Sequence, residues 1–365
     1  MKLGIIGLPG AGKTTIFNAL TRGNAPTGQS LGGRFEVLTG VVDVPDPRVD
    51  ALSALFKPEK TIYARVSYTD IAGLKKGIGE SGGLSGPLLN HLAQVEGFVH
   101  VVRAFEDAIH PHLEGSIDLR RDLQILDTEF LLNDLVQVEG RIQKLQEGLR
   151  KGAFRNKVEA QIELALFERL HGVLSAETPL RTLAASLTPD ELKSLRGYGF
   201  LTFKPVLVMV NIGDEQAEIP LDYPWPLSRV VNLRGRLEME LSQLSRDESD
   251  RETLALFMAE YGVTELGLDR VIHESYQLIG LRSFFTVGED EVRAWTVPVG
   301  ATALEAAGAI HSDLAKGFIR AEVVSYADLI ATGGLAQART IGALRLEGKT
   351  YPVQDGDIVH IKFNV

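Results

Sequence analysis

Gly7-Leu8-Pro9-Gly10-Ala11-Gly12-Lys13-Thr14 is the stretch on which the reading of this 365-residue chain turns. It satisfies the pattern G-x-x-x-x-G-K-[ST], a loop whose glycines let the backbone curl until successive N–H groups face phosphate oxygens. The flanks supply the context. Leu3 to Ile6 is an apolar run expected as a strand, and Thr14 to Leu20 reads as a helix whose positive N-terminal end adds to the anion site. Chance produces the pattern in roughly one chain of this length in a hundred, and a strand before it with a helix after it separates it from an ordinary glycine-rich turn. Lys13 is expected to reach the β- and γ-phosphates as a catalytic group, and the Thr14 hydroxyl to ligate Mg²⁺. Gly7, Pro9, Gly10, Ala11, Gly12, Lys13, Thr14 and Thr15 are the expected nucleotide-binding residues of the loop.

Further along, Asp70-Ile71-Ala72-Gly73 follows a run rich in β-branched residues, Ile62 to Tyr68. Asp70 would hold Mg²⁺ through water, and Gly73 would offer a backbone N–H to the γ-phosphate. D-x-x-G alone is common and often marks only a strand-to-loop turn. Asn211-Ile212-Gly213-Asp214, after the strand expected at Val206 to Val210, resembles the base-reading N-K-x-D motif and makes Asn211 and Asp214 candidate nucleotide contacts. The three motifs in this order on three strand ends form a specific combination. With Phe98 to Val102 as another strand, they imply an α/β fold: a P-loop G domain with a largely parallel sheet covered by helices on both faces.

About 100 residues separate the strands at Val102 and Val206, far more than a ~30-residue βαβ unit requires. Leu131, Leu135, Val138, Ile142, Leu145 and Leu149 step by four and three, the seam of a helix packed on a partner. A second helix carries Val158, Ile162, Leu166 and Leu170, and Lys151-Gly152-Ala153 is the expected reversal of an antiparallel coiled-coil hairpin whose apolar positions serve packing alone. From Leu281 the pattern changes to a small α+β module, with strands at Phe284 to Val287, Val292 to Val297, Ile319 to Ser325 and Ile358 to Phe363 around a helix near Ala303 to Leu314. The expected division is a G domain at 1–118 and 200–280, a helical insertion at 119–199 and a C-terminal domain at 281–365.

Hydrophobic residues make up 44% and charged residues 24%, as in ordinary globular proteins. The chain has no cysteine, which excludes disulfides, zinc–thiolate sites and thiol catalysis. Its net charge of −10 means that any RNA contact must come from a local basic patch. No apolar run is long enough to span a bilayer, and Met1-Lys2-Leu3-Gly4 leaves no room for a signal peptide. A cytoplasmic monomer with neither membrane nor DNA as partner is expected. The eight histidines include no H-E-x-x-H, and His100 and His360 read as structural residues in strands.

Several stretches together resemble the YchF family, also called Obg-like ATPases, over almost the whole chain. They are Gly7 through Thr21, Gly40-Val41-Val42-Asp43-Val44-Pro45-Asp46-Pro47-Arg48, Asp70-Ile71-Ala72-Gly73-Leu74 and His100-Val101-Val102-Arg103-Ala104-Phe105-Glu106. Gly317-Phe318-Ile319-Arg320-Ala321-Glu322-Val323 and Val353-Gln354-Asp355-Gly356-Asp357-Ile358-Val359-His360 look like that family's TGS domain, a β-grasp-like module. The resemblance implies a Mg²⁺-dependent ATPase, often preferring ATP over GTP, that associates with the ribosome, its large subunit or structured RNA as a molecular switch. Leu74 stands where Ras-like GTPases use a glutamine to orient the attacking water, a replacement the family shares. Leucine cannot hydrogen-bond, so turnover is expected to be slow, and the glycine-rich loop Lys75 to Gly83 reads as a switch segment.

Four positions depart from the family. Gly10 replaces an asparagine that in related GTPases helps hold potassium, and Asp214 replaces a glutamate, restoring the acid that guanine-reading enzymes use. Arg234-Gly235-Arg236 lacks the usual Ser-Ala, and Gly32 to Thr39 lacks the aromatic-threonine pattern of switch I, leaving Thr39 as the Mg²⁺-linked candidate. ATP and GTP therefore both stand as substrates. An alternative is a nucleotide-binding regulatory scaffold with negligible hydrolysis, which intact Lys13, Thr14 and Asp70 oppose. A small-molecule P-loop kinase would need an arginine-rich lid, which the segment after Asp70 is not. Lys316, Arg320, Arg339, Arg345 and Lys349 in the C-terminal module are either an RNA-facing set or scattered solvated charges.

Overall fold

The computed structural model describes residues 2–25, 37–71, 84, 86–244, 256, 259 and 267–364. Gly73, Leu74, the loop 75–83 and most of the switch I stretch lie outside them. Two compact units emerge, residues 1–40 with 67–268, and residues 41–66 with 269–365.

The first unit is built on a six-stranded sheet. Its strands are β1 (Lys2–Ile6), β2 (Val37–Asp43), β4 (Arg65–Ile71), β5 (Gly97–Arg103), β6 (Val206–Asn211) and β7 (Ser228–Leu233), in the order β2-β4-β1-β5-β6-β7. β1 runs parallel to both β4 and β5, β5 to β6, and β6 to β7. All seven residues of β5 and all six of β6 are buried, as expected for central parallel strands covered on both faces. Parallel pairing brings the carboxyl ends of β1, β4, β5 and β6 to one edge, where open α/β sheets bind ligands. Helix α1 (Lys13–Thr21) leaves that edge directly after β1, and α3 (Gly86–Gln94), with Leu88 and Leu92 buried, leads into β5.

The expected strand Ile62 to Tyr68 is two strands. β3 (Lys60–Ile62) ends before Tyr63-Ala64, and β4 begins at Arg65. Only β4 joins the first sheet; β3 pairs in parallel with a strand of the second. Periodicity does not reveal such a change of partner, because both halves keep a strand-forming composition.

The insertion is an antiparallel hairpin of α4 (Leu119–Lys151) and α5 (Lys157–Ser175). Val138 and Leu145 are fully buried, and Leu131, Leu135 and Ile142 pack against the cluster that holds Val138. Gly152 closes α4 in the left-handed region at φ +66°, where the reversal was expected. Leu166 and Leu170 are buried, but Val158 and Ile162 are 63% and 62% exposed, contrary to the packing role expected of them. The seam of α5 instead steps through Ala160, Glu163, Phe167, Leu170 and Leu174, by three and four residues. A constant step of four drifts around a 3.6-residue helix and leaves the contact face.

The second unit has its own six-stranded sheet, drawn from β8 (Leu281–Val287), β9 (Glu291–Pro298), β10 (Phe318–Ser325), β11 (Arg345–Glu347), β12 (Asp357–Phe363) and β3, in the order β11-β10-β12-β8-β9-β3. The helix expected near Ala303 to Leu314 is broken. Ala303–Ile310 begins with a Thr302/Glu305 capping box and buries Ala303, Ala306 and Ala307; His311 is extended, and Ser312–Lys316 follows. Most of residues 41–66, read from the sequence as G domain, including α2 (Pro47–Phe56) and β3, packs in this unit, while the ends of the stretch belong to β2 and β4. Arg48 Nη1 donates to Asp355 at 2.7 Å, its guanidinium lies 5.1 Å from the Phe285 ring centre, and Asp46 caps α2.

Candidate nucleotide site

The phosphate loop takes its shape from two positions where no side chain fits. Gly12 has φ +91°, and a Cβ there would collide with Asn211 Nδ2. Gly7 has φ +149°, and its Cβ would strike the Val101 carbonyl oxygen. Both glycines therefore reflect close approach as well as backbone conformation.

Lys13 Nζ donates to the carbonyls of Gly7 and Leu8 at 2.9 and 3.0 Å, lying back along the loop. Burial lowers its pKa to about 8, against the raising effect of the nearby Asp70 charge. The Thr14 hydroxyl donates to Asp70 Oδ2 at 2.8 Å. Burial raises the Asp70 pKa, while the Thr14 hydrogen bond and the Lys13 charge hold it down. Its other oxygen, Oδ1, is buried with no hydrogen-bond partner among the described residues. An orphaned carboxylate oxygen beside a hydroxyl is a donor set that fits Mg²⁺, which keeps waters and takes phosphate oxygens for its remaining positions. Thr39 Oγ1 lies 3.2 Å from Thr69 Oγ1, near the strand end that carries Asp70.

Asn211 is buried, and both ends of its side chain are engaged within the protein. Nδ2 donates to the Ala11 carbonyl at 3.0 Å, and Oδ1 accepts from the Gly235 N–H at 3.1 Å. It ties the phosphate loop to the start of the helix Gly235–Leu244. Within the protein Asn211 is thus a strut between loops, beside the base contact that the sequence suggests for the same side chain. Ile212, in the lysine position of N-K-x-D, is buried in the core. Asp214 is half-buried, and its carboxylate has no hydrogen-bond partner among the described residues. Pro9 and Gly10 are exposed at the tip of the loop, Ala11 is buried, and Thr15 is half-buried on α1.

Four neighbours of the loop escaped the sequence reading. Arg103 ends β5, almost wholly buried, and donates from Nε to the Phe105 carbonyl at 3.0 Å; its Nη2 is without a partner among the described residues. Its guanidinium stacks 4.7 Å from the centre of the Phe105 ring. A Cβ on Gly10 would lie 3.3 Å from Arg103 Nη1, and one on Gly12 would lie 3.9 Å from the Phe105 ring. Behind the loop, His112 Nε2 is hydrogen-bonded to Asp122 Oδ2 at 2.8 Å, and Asp122 Oδ1 also accepts from Arg121. The one available signal was an arginine closing a strand whose only other polar side chain is His100. His100 is buried in β5, but its Nε2 has no hydrogen-bond partner among the described residues, unlike the satisfied histidine expected; burial, with Lys13 and Arg181 nearby, lowers its pKa to about 3.

Two family models match the chain. One, described as a 50S ribosome-binding GTPase, covers residues 2–137. The other, YchF-GTPase_C, described as a protein of unknown function, covers residues 281–364. The chain is 40% identical to the "Ribosome-binding ATPase YchF" of Pasteurella multocida, with 100% of this chain and 99% of that protein aligned. It is 38% identical to the protein of the same name from Bacillus subtilis, over 99% of each. Among solved structures it is similar to the YchF GTPase of Schizosaccharomyces pombe, with TM-score 0.79 and 29% identity over 99% of this chain and 97% of that one.

Proposed function

The chain belongs to the YchF family of P-loop nucleoside triphosphatases, and on that premise we propose that it binds Mg²⁺–ATP, hydrolyses it slowly and acts as a ribosome-associated switch. The observation that carries the reading is Lys13 and Thr14 at the start of α1 with the half-satisfied Asp70 carboxylate beside them. Thr14 and Asp70 would hold Mg²⁺, the latter through water, and the charge it would supply there would offset that of the phosphate oxygens. Lys13 exchanges the Gly7 and Leu8 carbonyls for the β- and γ-phosphates, which favours its charged form and raises its pKa from about 8. The loop N–H groups stabilise negative charge in fixed positions, so little reorganisation accompanies the reaction. Gly73 would add one further N–H. Leu74 offers the attacking water no hydrogen bond, so intrinsic turnover is low until a partner positions that water.

A second reading concerns the base. Relatives at 38–40% identity are named ATPases, while the similar fungal protein is named a GTPase. The unpartnered Asp214 carboxylate is suited to accept from the guanine N1–H and 2-amino group, which favours GTP. Equilibrium binding of fluorescent ATP and GTP with Mg²⁺, on the unsubstituted chain and on Asp214→Glu, separates them. Tight ATP binding with weak GTP binding supports the ATPase. A GTP preference abolished by the substitution makes Asp214 the guanine reader. Binding of neither nucleotide overturns the switch.

Ribosome association goes with residence in the cytoplasm. No helix among the described residues is long and apolar enough to cross a membrane.

A further inference from the structure

Against a net charge of −10 for the whole chain, the turn of the helical hairpin is strongly basic. Residues 144–157 hold five cations, Lys144, Arg150, Lys151, Arg155 and Lys157, and one carboxylate, Glu147, a local balance of five minus one, or +4. All five cations are exposed. Lys151 pairs with Glu147 at 3.3 Å; the other four have no carboxylate partner among the described residues. Carboxylates resume immediately below the tip with Glu139, Glu159 and Glu163, the last bound by Arg141 at 2.7 Å. The positive field is therefore confined to the end of the hairpin.

The tip is also held in one shape. The N–H of Gly152 returns to the carbonyl of Leu149, and that of Ala153 to Gly148. Phe154 lies so close on Gly148 that a Cβ there would collide with its ring. Asn156 caps α5 by accepting from the N–H groups of Val158 and Glu159 at 3.1 and 3.3 Å. Charges on a pre-ordered turn lose little backbone entropy when they engage a ligand.

We propose that this tip docks on folded RNA by gripping its phosphate backbone. Arg150 and Arg155 carry forked guanidinium groups that match phosphate oxygens in pairs. Within residues 144–157 no large apolar side chain is exposed for insertion into lipid: Leu145 is buried, and Leu149 and Phe154 are half-buried. The exposed Val158 and Ile162 follow on α5, where carboxylates resume. The proposal rests on the ribosome-association reading and names the surface that makes the contact.

The test uses the full chain, the triple variant Arg150→Glu/Lys151→Glu/Arg155→Glu and its neutral counterpart with glutamine at the same positions. Each is titrated with purified ribosomes and, separately, with a fluorescent stem-loop RNA, at several salt concentrations. Thermal melts and nucleotide binding, unchanged, show that the fold is kept. Affinity is expected to fall at least tenfold in the glutamate variant and less in the glutamine variant. The slope of log affinity against log salt should shrink by roughly 2–3, at ~0.7–0.9 for each phosphate no longer neutralised. Equal affinity and equal slope on both probes overturn the tip assignment while leaving ribosome association standing. If the unsubstituted chain binds no ribosomes, the ribosome reading fails, and the stem-loop titration still decides the tip. Tighter binding to phosphatidylserine vesicles than to RNA overturns it in favour of a membrane surface.

Discussion

Thr14 Oγ1 stands 2.8 Å from Asp70 Oδ2, so the first turn of the helix behind the phosphate loop meets the end of a neighbouring strand across 56 positions of sequence. The contact exists because β1 and β4 run parallel with Ile5 opposite Asp70. Asp70→Asn keeps the volume and removes the charge. Nucleotide affinity in Mg²⁺ should fall about 10–100-fold, by analogy with charge-assisted contacts worth ~1.5–3 kcal/mol. Affinity in chelator should change little. Titration of a fluorescent triphosphate with and without Mg²⁺ reads both; an equal loss in the two conditions would mean that Asp70 only supports the loop.

Asn211 and Asp214 sit three residues apart and should behave differently. Asn211→Ala strands the Ala11 carbonyl and the Gly235 N–H in a buried setting. It should lower stability by ~2–4 kcal/mol, from two unmet groups at ~1–3 each less partial relaxation, and weaken every nucleotide alike. Asp214→Ala should leave the melting temperature within a degree or two and alter only the choice of base. Denaturant melts alongside ATP and GTP titrations check this.

Nucleotide binding should depend on pH through Lys13. Free of ligand, its pKa is lowered to about 8 by burial, against the pull of Asp70. Phosphates stabilise the charged form, so binding takes up a proton above that pH, and affinity falls by up to about tenfold per unit. Calorimetry in buffers of different ionisation enthalpy should show uptake rising from near zero at pH 7 toward one at pH 9. The same shift makes the ligand-free fold gain stability between pH 8 and 10.5, since the unfolded chain holds the extra proton there.

Acid should act through His100. Burial is the main cause of its folded pKa of about 3 against 6.5 unfolded, so between these values the unfolded chain binds one proton more. Stability is full above pH 6.5 and is lost as pH falls toward 3, by an amount on the order of 4 kcal/mol for this residue. His100→Gln should flatten the dependence of unfolding free energy on pH between 6 and 4 by about one proton. An unaltered slope would assign the acid sensitivity to carboxylates instead.

The phosphate loop was legible because its chemistry is local. Cradling a phosphate with backbone N–H groups demands glycines, a lysine and a hydroxyl at consecutive positions, and no distant residue can substitute for that spacing. Apolar runs likewise announced the central strands, since parallel strands buried on both faces must be hydrophobic throughout. Other features depended on which segments came together. Tyr63-Ala64 separates two strands that pair in different sheets, although their composition is continuous. Val158 and Ile162 fit a helical period but fall outside the seam that Ala160, Phe167 and Leu170 define against α4. Arg103, Phe105, His112 and Asp122 reach the loop through packing and hydrogen bonds across strand and helix ends. Asn211 could be recognised as a motif residue, but its work as a strut required Ala11 and Gly235 to lie on either side of it. Short-range chemistry is written in neighbouring letters; contacts set by strand order and helix rotation become definite only when the chain has closed around its core.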